Sequence, residues 1–398
     1  MAKYCIITPT YSEHFKFIPK YLKSFDKNIL DKENVIIFFI IEEQDKKNFY
    51  KIIEKWKHLN IEVLIFDTLL KKNNINISPK ELLNKYDKFS YQTLKKLYAM
   101  LELNYDYFLI LDSETMFIKP TKSQSLFEDY LQHPFIVFSS IDKRLKSHKF
   151  LIELVNNIDS LYKISLKKWF LESFSWFIDK RILLDLIQEL GSPIEIVRTV
   201  YKNKDEILHN CHLFEGLLYY EYIYLHNDKY QYKLIDVDNL LIKYLSKQNY
   251  EQYLKQFYKT YNGHAGILEF ALQFLNKNNV DEFIDLFNSY NFKILRCENS
   301  YYNYEYQSKF INMVKPNILA VSQEHAFGIN NPFVTLAING IYKIKFCKHF
   351  KRVIKPIGIL LNYLGEIISV ITYACIYIIN YIIVIFVILK DRITRLIH

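Results

Sequence analysis

Apolar and polar stretches alternate along this chain in a way that sets out strands and helices in turn. Tyr4–Thr8 (YCIIT), Val35–Ile41 (VIIFFII) and Tyr107–Leu111 (YFLIL) are short apolar runs, closed by Pro9, by Glu42-Glu43 and by Asp112. Runs of this length, bounded by turn-forming or charged residues, read as strands buried on both faces. Ile61–Phe66, ending at Asp67, is a further strand of the same group. Between these runs, Ser12 is placed to cap a helix reaching about Phe25, and Asp45 to cap one reaching about Lys57. Ser90–Leu103 is the clearest helix: Leu94, Leu97, Tyr98 and Leu101 recur at helical spacing, with Gln92 and Lys96 pointing away from that face. Phe135–Phe138, Ser173–Ile178 and Tyr232–Val237 read as later strands, and Asp179, Gly191 and Pro193 bracket a helix over 180–190. Strands alternating with helices predict an α/β fold built on βαβ units and a mostly parallel sheet. From about residue 250 the pattern turns helical.

Composition narrows the class. Half of the 398 residues are hydrophobic, which supports a sizeable core. Glycine (8) and proline (9) are scarce, which argues against collagen-like, linker-rich or many-hairpin designs. The five cysteines are scattered without a C-x-x-C pair, so neither a disulfide framework nor a structural zinc site is expected. The N-terminal apolar run is too short for a signal peptide, and the body is expected to remain in the cytoplasm.

Charge is concentrated late. Of the net +9, the stretch Lys343–Lys355 carries +6, with six basic residues and no acid. The body up to residue 342 is therefore nearly neutral, and nucleic acid is not an expected partner, because that needs a basic stripe on the folded domain. The basic cluster precedes Ile367–Leu389, 23 residues without a charge. As a helix this run measures about 34 Å, enough to cross the hydrocarbon core. Lysine and arginine beside a membrane helix favour the cytoplasmic side, so the body is oriented there. A segment lying in the interface is the alternative.

Two segments carry the candidate chemistry. The first is Phe108–Glu114 (FLILDSE): a buried parallel strand delivers Asp112 and Glu114 at its carboxyl end, where they can share a hard divalent cation. Such an ion stabilises charge developing on a departing diphosphate. The second is Cys5–Glu13 (CIITPTYSE), in which Thr8, Thr10 and Tyr11 supply a flat contact and hydrogen-bond partners for a nucleotide base. No Gly-rich dinucleotide or P-loop fingerprint follows that strand.

Together these segments resemble the glycosyltransferases of the GT-A fold, particularly bacterial enzymes that build surface polysaccharide and lipopolysaccharide. The resemblance lies in Pro9-Thr10-Tyr11 after the first strand and in the Asp-x-Asp-like element within Leu109–Pro120 (LILDSETMFIKP), and it covers roughly residues 1–240. It implies a GT-A-like (Rossmann-like) sheet, a nucleotide-sugar donor, a glycan or glycolipid acceptor, and Mn²⁺ or Mg²⁺ as cofactor. It places Thr8, Pro9, Tyr11 and either Glu42 or Asp67 against the nucleotide, and Asp112 and Glu114 against the metal. Glu114 departs from the usual Asp and is one methylene longer. Lys96 is added as a residue able to reach a phosphate or sugar.

An inverting transferase also needs a carboxylate to take the acceptor's proton. Glu215, in the stretch His209–Glu215 (HNCHLFE), is the candidate, with Glu221 competing. His209, Cys211 and His212 lack the spacing of a zinc set. His264 or His325 could add a late metal ligand, and the tyrosine runs Tyr219–Tyr224 and Tyr301–Tyr306 could stack on sugars.

The organisation expected is a catalytic domain over 1–245, a helical extension over 246–342, and a basic segment with membrane helix over 343–398, at a bacterial inner membrane with catalysis on the cytoplasmic face. The alternatives are a membrane-tethered nucleotidyl or phosphosugar transferase, and a non-catalytic glycan- or partner-binding module. The two kinds of attachment, electrostatic and apolar, respond differently to salt and detergent. High salt should leave the full-length protein on membranes, because screening weakens the basic cluster but not apolar burial. Detergent should release it. A chain ending near Tyr342 should fractionate as soluble and still turn over donor; an insoluble or unfolded shortened chain beside a full-length chain in the soluble fraction would make the apolar run a core helix.

Overall fold

The computed structural model describes residues 3–144, 149–170, 176–202, 212–261, 274–275, 277–289, 294–298, 313 and 318–322. The chain divides into two compact units, Met1–His325 and Ala326–His398, and the described residues all lie in the first. In chain order the strands are β1 (Tyr4–Pro9), β2 (Ile36–Ile41), β3 (Ile61–Ile65), β4 (Tyr107–Ile110), β5 (Met116–Phe117), β6 (Phe135–Ser140), β7 (Lys168–Trp169), β8 (Phe177–Asp179), β9 (Lys233–Asp236), β10 (Ile294–Glu298) and β11 (Ile318–Ser322).

Five of them form the central sheet, in the order β3-β2-β1-β4-β8. The first four are mutually parallel and β8 runs antiparallel to β4. This is the mostly parallel α/β sheet flanked by helices that the apolar runs predicted. Two three-stranded sheets accompany it, β7-β6-β9 and β10-β11-β5. β10 and β11 fall within the 246–342 extension, which is therefore not wholly helical, although Lys247–Tyr261 and Lys277–Ser289 are helices as expected.

Local chemistry accounts for most element ends. Asp87 caps the Lys88–Glu102 helix by accepting from the Phe89 and Ser90 amides at 2.7 and 3.0 Å. Asp179 caps Lys180–Leu190 by accepting from Arg181 N at 2.8 Å, and Gly191 ends that helix at a φ of 96°, a region that favours glycine. The helix expected from Ser12 divides instead. Ser12–Phe17 is a 3₁₀ turn, and the α-helix proper is Ile18–Asn28, with Pro19 in its first turn. Proline is tolerated there because its missing N–H lies among the helix's unsatisfied donors. Asp45 does not cap its helix either. Its side chain is buried and accepts a hydrogen bond from the Ser12 backbone.

The core beneath β1 and β2 is aromatic. Phe39 lies 5.0 Å from Phe49 and 5.9 Å from Tyr21, and Tyr21 lies 5.7 Å from Phe117. Edge-on and tilted contacts of this kind add to area burial. The helix Lys88–Glu102 crosses β1 and β2 and also meets the helices at 66–72, 193–201 and 215–225. It is enclosed on more than its apolar face. That is why Lys95 and Lys96 are buried and why the expectation of an outward-facing Lys96 is corrected.

Among the described residues no helix is long and apolar enough to cross a membrane. The basic cluster, the 367–389 run, His209, Cys211, His264, His325 and Tyr301–Tyr306 lie outside the described residues.

Candidate active site

Parallel strands end on one edge of a sheet, and here β1 and β4 are direct neighbours. Ile7 stands opposite Ile110, and Leu111 N continues the ladder by donating to Ile7 O at 3.0 Å. Asp112 therefore emerges beside Pro9 and the loop carrying Tyr11. Ile110 N donates to Trp176 O at 2.9 Å, so Trp176 flanks the same edge from the antiparallel strand β8. The Lys88–Glu102 helix leads directly into β4, so its N-terminal half stands over this edge as well.

The two expected metal carboxylates are placed differently. Asp112 is half-buried, and its backbone carbonyl accepts from Thr115 N at 3.0 Å to close the turn. Glu114 turns inward: Oε1 lies 2.8 Å from His14 Nδ1, and Oε2 accepts from Ser113 Oγ at 3.0 Å. Among the described residues no three His, Cys, Asp or Glu side chains converge into a metal cage. Magnesium and manganese are commonly held by one or two carboxylates plus substrate phosphates. Asp112 stands at the strand end where such a carboxylate would be placed, and Glu114 is engaged with His14 and Ser113.

The nucleotide-side candidates spread along the ends of β1, β2 and β3. Thr8 Oγ1 is buried and hydrogen-bonds the Tyr21 hydroxyl at 3.2 Å, and Pro9 is the buried last residue of β1, so both shape the floor. Tyr11 is more accessible. Its ring packs 4.2 Å from His14, and its hydroxyl accepts from Lys88 Nζ at 3.4 Å. Glu42 Oε1 accepts from the Tyr91 hydroxyl at 2.6 Å and from Lys95 Nζ at 3.3 Å. Asp67 accepts from Glu43 N at 2.8 Å. Burial, then the Glu42 carboxylate, pushes Asp45 up. Burial draws Lys95 down, and Glu42 opposes that shift. Three carboxylates thus surround one buried lysine, which leaves this corner acidic and suited to accept from hydroxyls rather than to hold phosphate.

Lys96 and Glu215, proposed from distant segments for different tasks, meet. Lys96 Nζ lies 2.5 Å from Glu215 Oε1, and Glu215 Oε2 accepts from Thr93 Oγ1 at 3.0 Å. Their side chains are 5% and 2% exposed. The ammonium also sits 5.1 Å from the Trp176 ring and 5.3 Å from that of Phe214. With both oxygens held, Glu215 belongs to the wall of the site and is not open to an acceptor hydroxyl in this arrangement.

Glu221 is placed apart from the edge, fully buried two turns further along the Glu215–Leu225 helix. Burial first, and Asp159 second, push its carboxyl up to about 9. Neither Glu221 oxygen nor Asp159 Oδ1 meets a hydrogen-bond partner among the described residues. A proton retained on Glu221 supplies the missing donor between them.

Several residues of this edge were not singled out from the sequence: His14, Lys88, Tyr91, Lys95 and Trp176. Only His14 and Lys95 had a local signal, one lying three residues after Tyr11 and the other beside Lys96.

No protein-family model matches the chain, and no curated protein matches it. Among solved structures the chain is similar to mouse xyloside xylosyltransferase 1 in its apo form, at 9% identity and a TM-score of 0.35, covering 64% of this chain and 92% of that one. So distant a likeness carries no chemistry across.

Two predictions follow from the buried charges. Lys96→Met strands the Glu215 carboxylate, a loss of about 3–5 kcal/mol of stability for a broken buried pair. Adding Glu215→Gln should recover a large part of it in urea unfolding; strict additivity would mean the two do not interact. Glu221 gives a pH signature. An acid raised from 4.5 to about 9 holds its proton in the folded state where the unfolded chain has lost it, so stability falls as pH rises through that window. The slope approaches about 1.4 kcal/mol per pH unit. Glu221→Gln should match the native protein near pH 4.5 and exceed it increasingly towards pH 9 in denaturant unfolding. A constant difference across that range would show that Glu221 does not hold the proton.

Proposed function

We propose that this chain transfers a sugar from a nucleotide-sugar donor to a growing surface glycan, with catalysis on the cytoplasmic face of a bacterial membrane. One observation supports the reading above the others: the pairing of β1 with β4 places Asp112 beside the Pro9-Thr10-Tyr11 loop on one sheet edge. That is where ligands of open α/β sheets bind.

In this reading the acidic corner around Glu42, Asp45 and Asp67 accepts hydroxyls of the nucleoside. The Tyr11 ring offers a flat contact, and Lys88 stands at its hydroxyl. Asp112 holds Mn²⁺ or Mg²⁺ together with the donor's diphosphate. When bound, the ion stabilises the charge developing on the departing nucleoside diphosphate. The acceptor hydroxyl attacks the anomeric carbon as the bond to the diphosphate breaks, and its proton passes to solvent, because Glu215 is closed off by Lys96 and Thr93. Lys96, Glu215 and Trp176 form the wall beyond β4, where the ion pair keeps two buried charges neutralised. The basic 343–355 segment and the apolar 367–389 run attach the catalytic part to the membrane.

A thermal-shift screen of nucleotide sugars with and without Mn²⁺ tests the donor class, since a ligand bound only by the native state raises its stability. Without acceptor, the transferase should slowly release nucleoside diphosphate. Release of pyrophosphate would favour a nucleotidyltransferase, and binding without any release a glycan- or partner-binding module. Asp112→Asn keeps the shape of the side chain and removes its charge. It should abolish transfer, with melting unchanged within about a degree. Loss of several degrees together with activity would make Asp112 a structural residue.

A further inference from the structure

The pairing of Glu114 with His14 at the sheet edge is not used by the proposed function. His14 lies on the 3₁₀ turn after β1 and Glu114 on the turn after β4, and Nδ1 approaches Oε1 at 2.8 Å. Ser113 Oγ donates to Glu114 Oε2 at 3.0 Å and itself lies 3.3 Å from His14 Nδ1. Ser113 Oγ spends its proton on Glu114 Oε2 and can therefore only accept from His14, so this geometry puts a ring proton on Nδ1. In the neutral ring Nε2 is then a bare lone pair.

The ring itself is held in place. Tyr11 packs on it at 4.2 Å with the planes 33° apart, and Phe17 meets it edge-on at 5.5 Å. The His14 side chain is 17% exposed, against 4% for Glu114, so the imidazole reaches solvent and its carboxylate partner does not. Among the described residues Nε2 has no partner. A buried carboxylate that fixes the tautomer of a partly exposed imidazole is an arrangement that prepares the outer nitrogen for a ligand.

We propose that Glu114 serves His14 rather than a cation, and that the pair presents His14 Nε2 as a hydrogen-bond acceptor for a substrate hydroxyl. The ligand class, a polyhydroxylated sugar, rests on the glycosyl-transfer reading; the pairing does not. His14 is then a binding residue and Glu114 a positioning residue, and the cation role proposed for this turn falls to Asp112.

Nitrogen-detected long-range NMR of the full chain, with His14 assigned by His14→Gln, tests the pairing. The neutral ring, read at alkaline pH, should be the Nδ1–H tautomer. Glu114→Ala should return it to the Nε2–H tautomer usual for free histidine. Should that variant fail to fold, the wild-type spectrum alone decides, because an Nε2–H tautomer there would make Nε2 a donor and overturn the proposal. Calorimetric titration with Mn²⁺ and pyrophosphate tests the cation half. Glu114→Gln should bind within about twofold of wild type and Asp112→Asn at least tenfold more weakly. An equal tenfold loss in both variants would restore Glu114 as a ligand and overturn the proposal. If wild type binds no Mn²⁺-pyrophosphate, the cation reading of Asp112 falls, and the tautomer still decides for or against the His14–Glu114 pair.

Discussion

The candidate site depends on the parallel pairing of β1 with β4. Its register sets Ile7 against Ile110 and lets Leu111 extend the ladder by one more bond, so that the first residue free of the strand is Asp112. Side chains alternate along a strand, and a slip of one residue would exchange the faces of the whole set. The same pairing brings the crossover helix into position. Lys88–Glu102 leads directly into β4, so it runs opposite to the strand, and its N-terminal half stands at the strands' carboxyl ends. Lys88, Tyr91, Lys95 and Lys96 reach the site from there. One strand pairing thus positions both turns that border the site and the helix above them.

The adjacent lysines of that helix divide the edge electrostatically. A lysine buried without a partner is costly, so each is matched: Lys95 by Glu42 just after β2, Lys96 by Glu215 at the head of the Glu215–Leu225 helix. About 100° of helical rotation separates neighbouring residues, which lets one helix satisfy carboxylates on two sides of the edge. Aromatic faces complete both environments, Tyr91 at 4.8 Å from Lys95 and Trp176 at 5.1 Å from Lys96. On the Lys95 side, two further carboxylates remain, Asp45 and Asp67. The surplus of acceptors there makes that corner acidic and suits it to hydroxyl donors rather than to anions.

The sheet was legible because strands buried on both faces lose their alternation and become continuous apolar runs. Those runs located β1, β2 and β4 within one or two residues. The first helix was misjudged where Pro19 restarts it, since a local cap signal at Ser12 does not reveal a change from 3₁₀ to α geometry. Lys96 was misjudged for another reason. Helical periodicity identifies the apolar face, but it cannot show that a second face is covered by Phe214, Glu215 and Trp176, which lie far along the chain. The site candidates were legible as residue types at strand ends, which is why Asp112, Glu42, Asp67 and Tyr11 could be named. Their partners were not, because contacts such as Tyr91 with Glu42 or Asp159 with Glu221 join segments whose spacing carries no signal.

Glu114 shows how a departure in sequence acquires a physical meaning in the fold. Where the resembling enzymes usually carry Asp, this chain carries a side chain longer by one carbon–carbon bond, about 1.5 Å. That extension spans the gap from the turn after β4 to His14 on the turn after β1, at 2.8 Å. A carboxylate shorter by that bond on the same backbone would leave His14 Nδ1 with Ser113 Oγ at 3.3 Å as its remaining partner. The longer side chain therefore links the two turns that border the site. It ties the loop that carries Tyr11 to the turn that carries Asp112 by a charged contact in addition to the strand pairing beneath. Asp112 keeps a half-buried position next to Pro9, at the end of the neighbouring strand. Two carboxylates one residue apart, which the sequence offers as equivalent, are thus separated by length alone into one that braces the site and one that faces it.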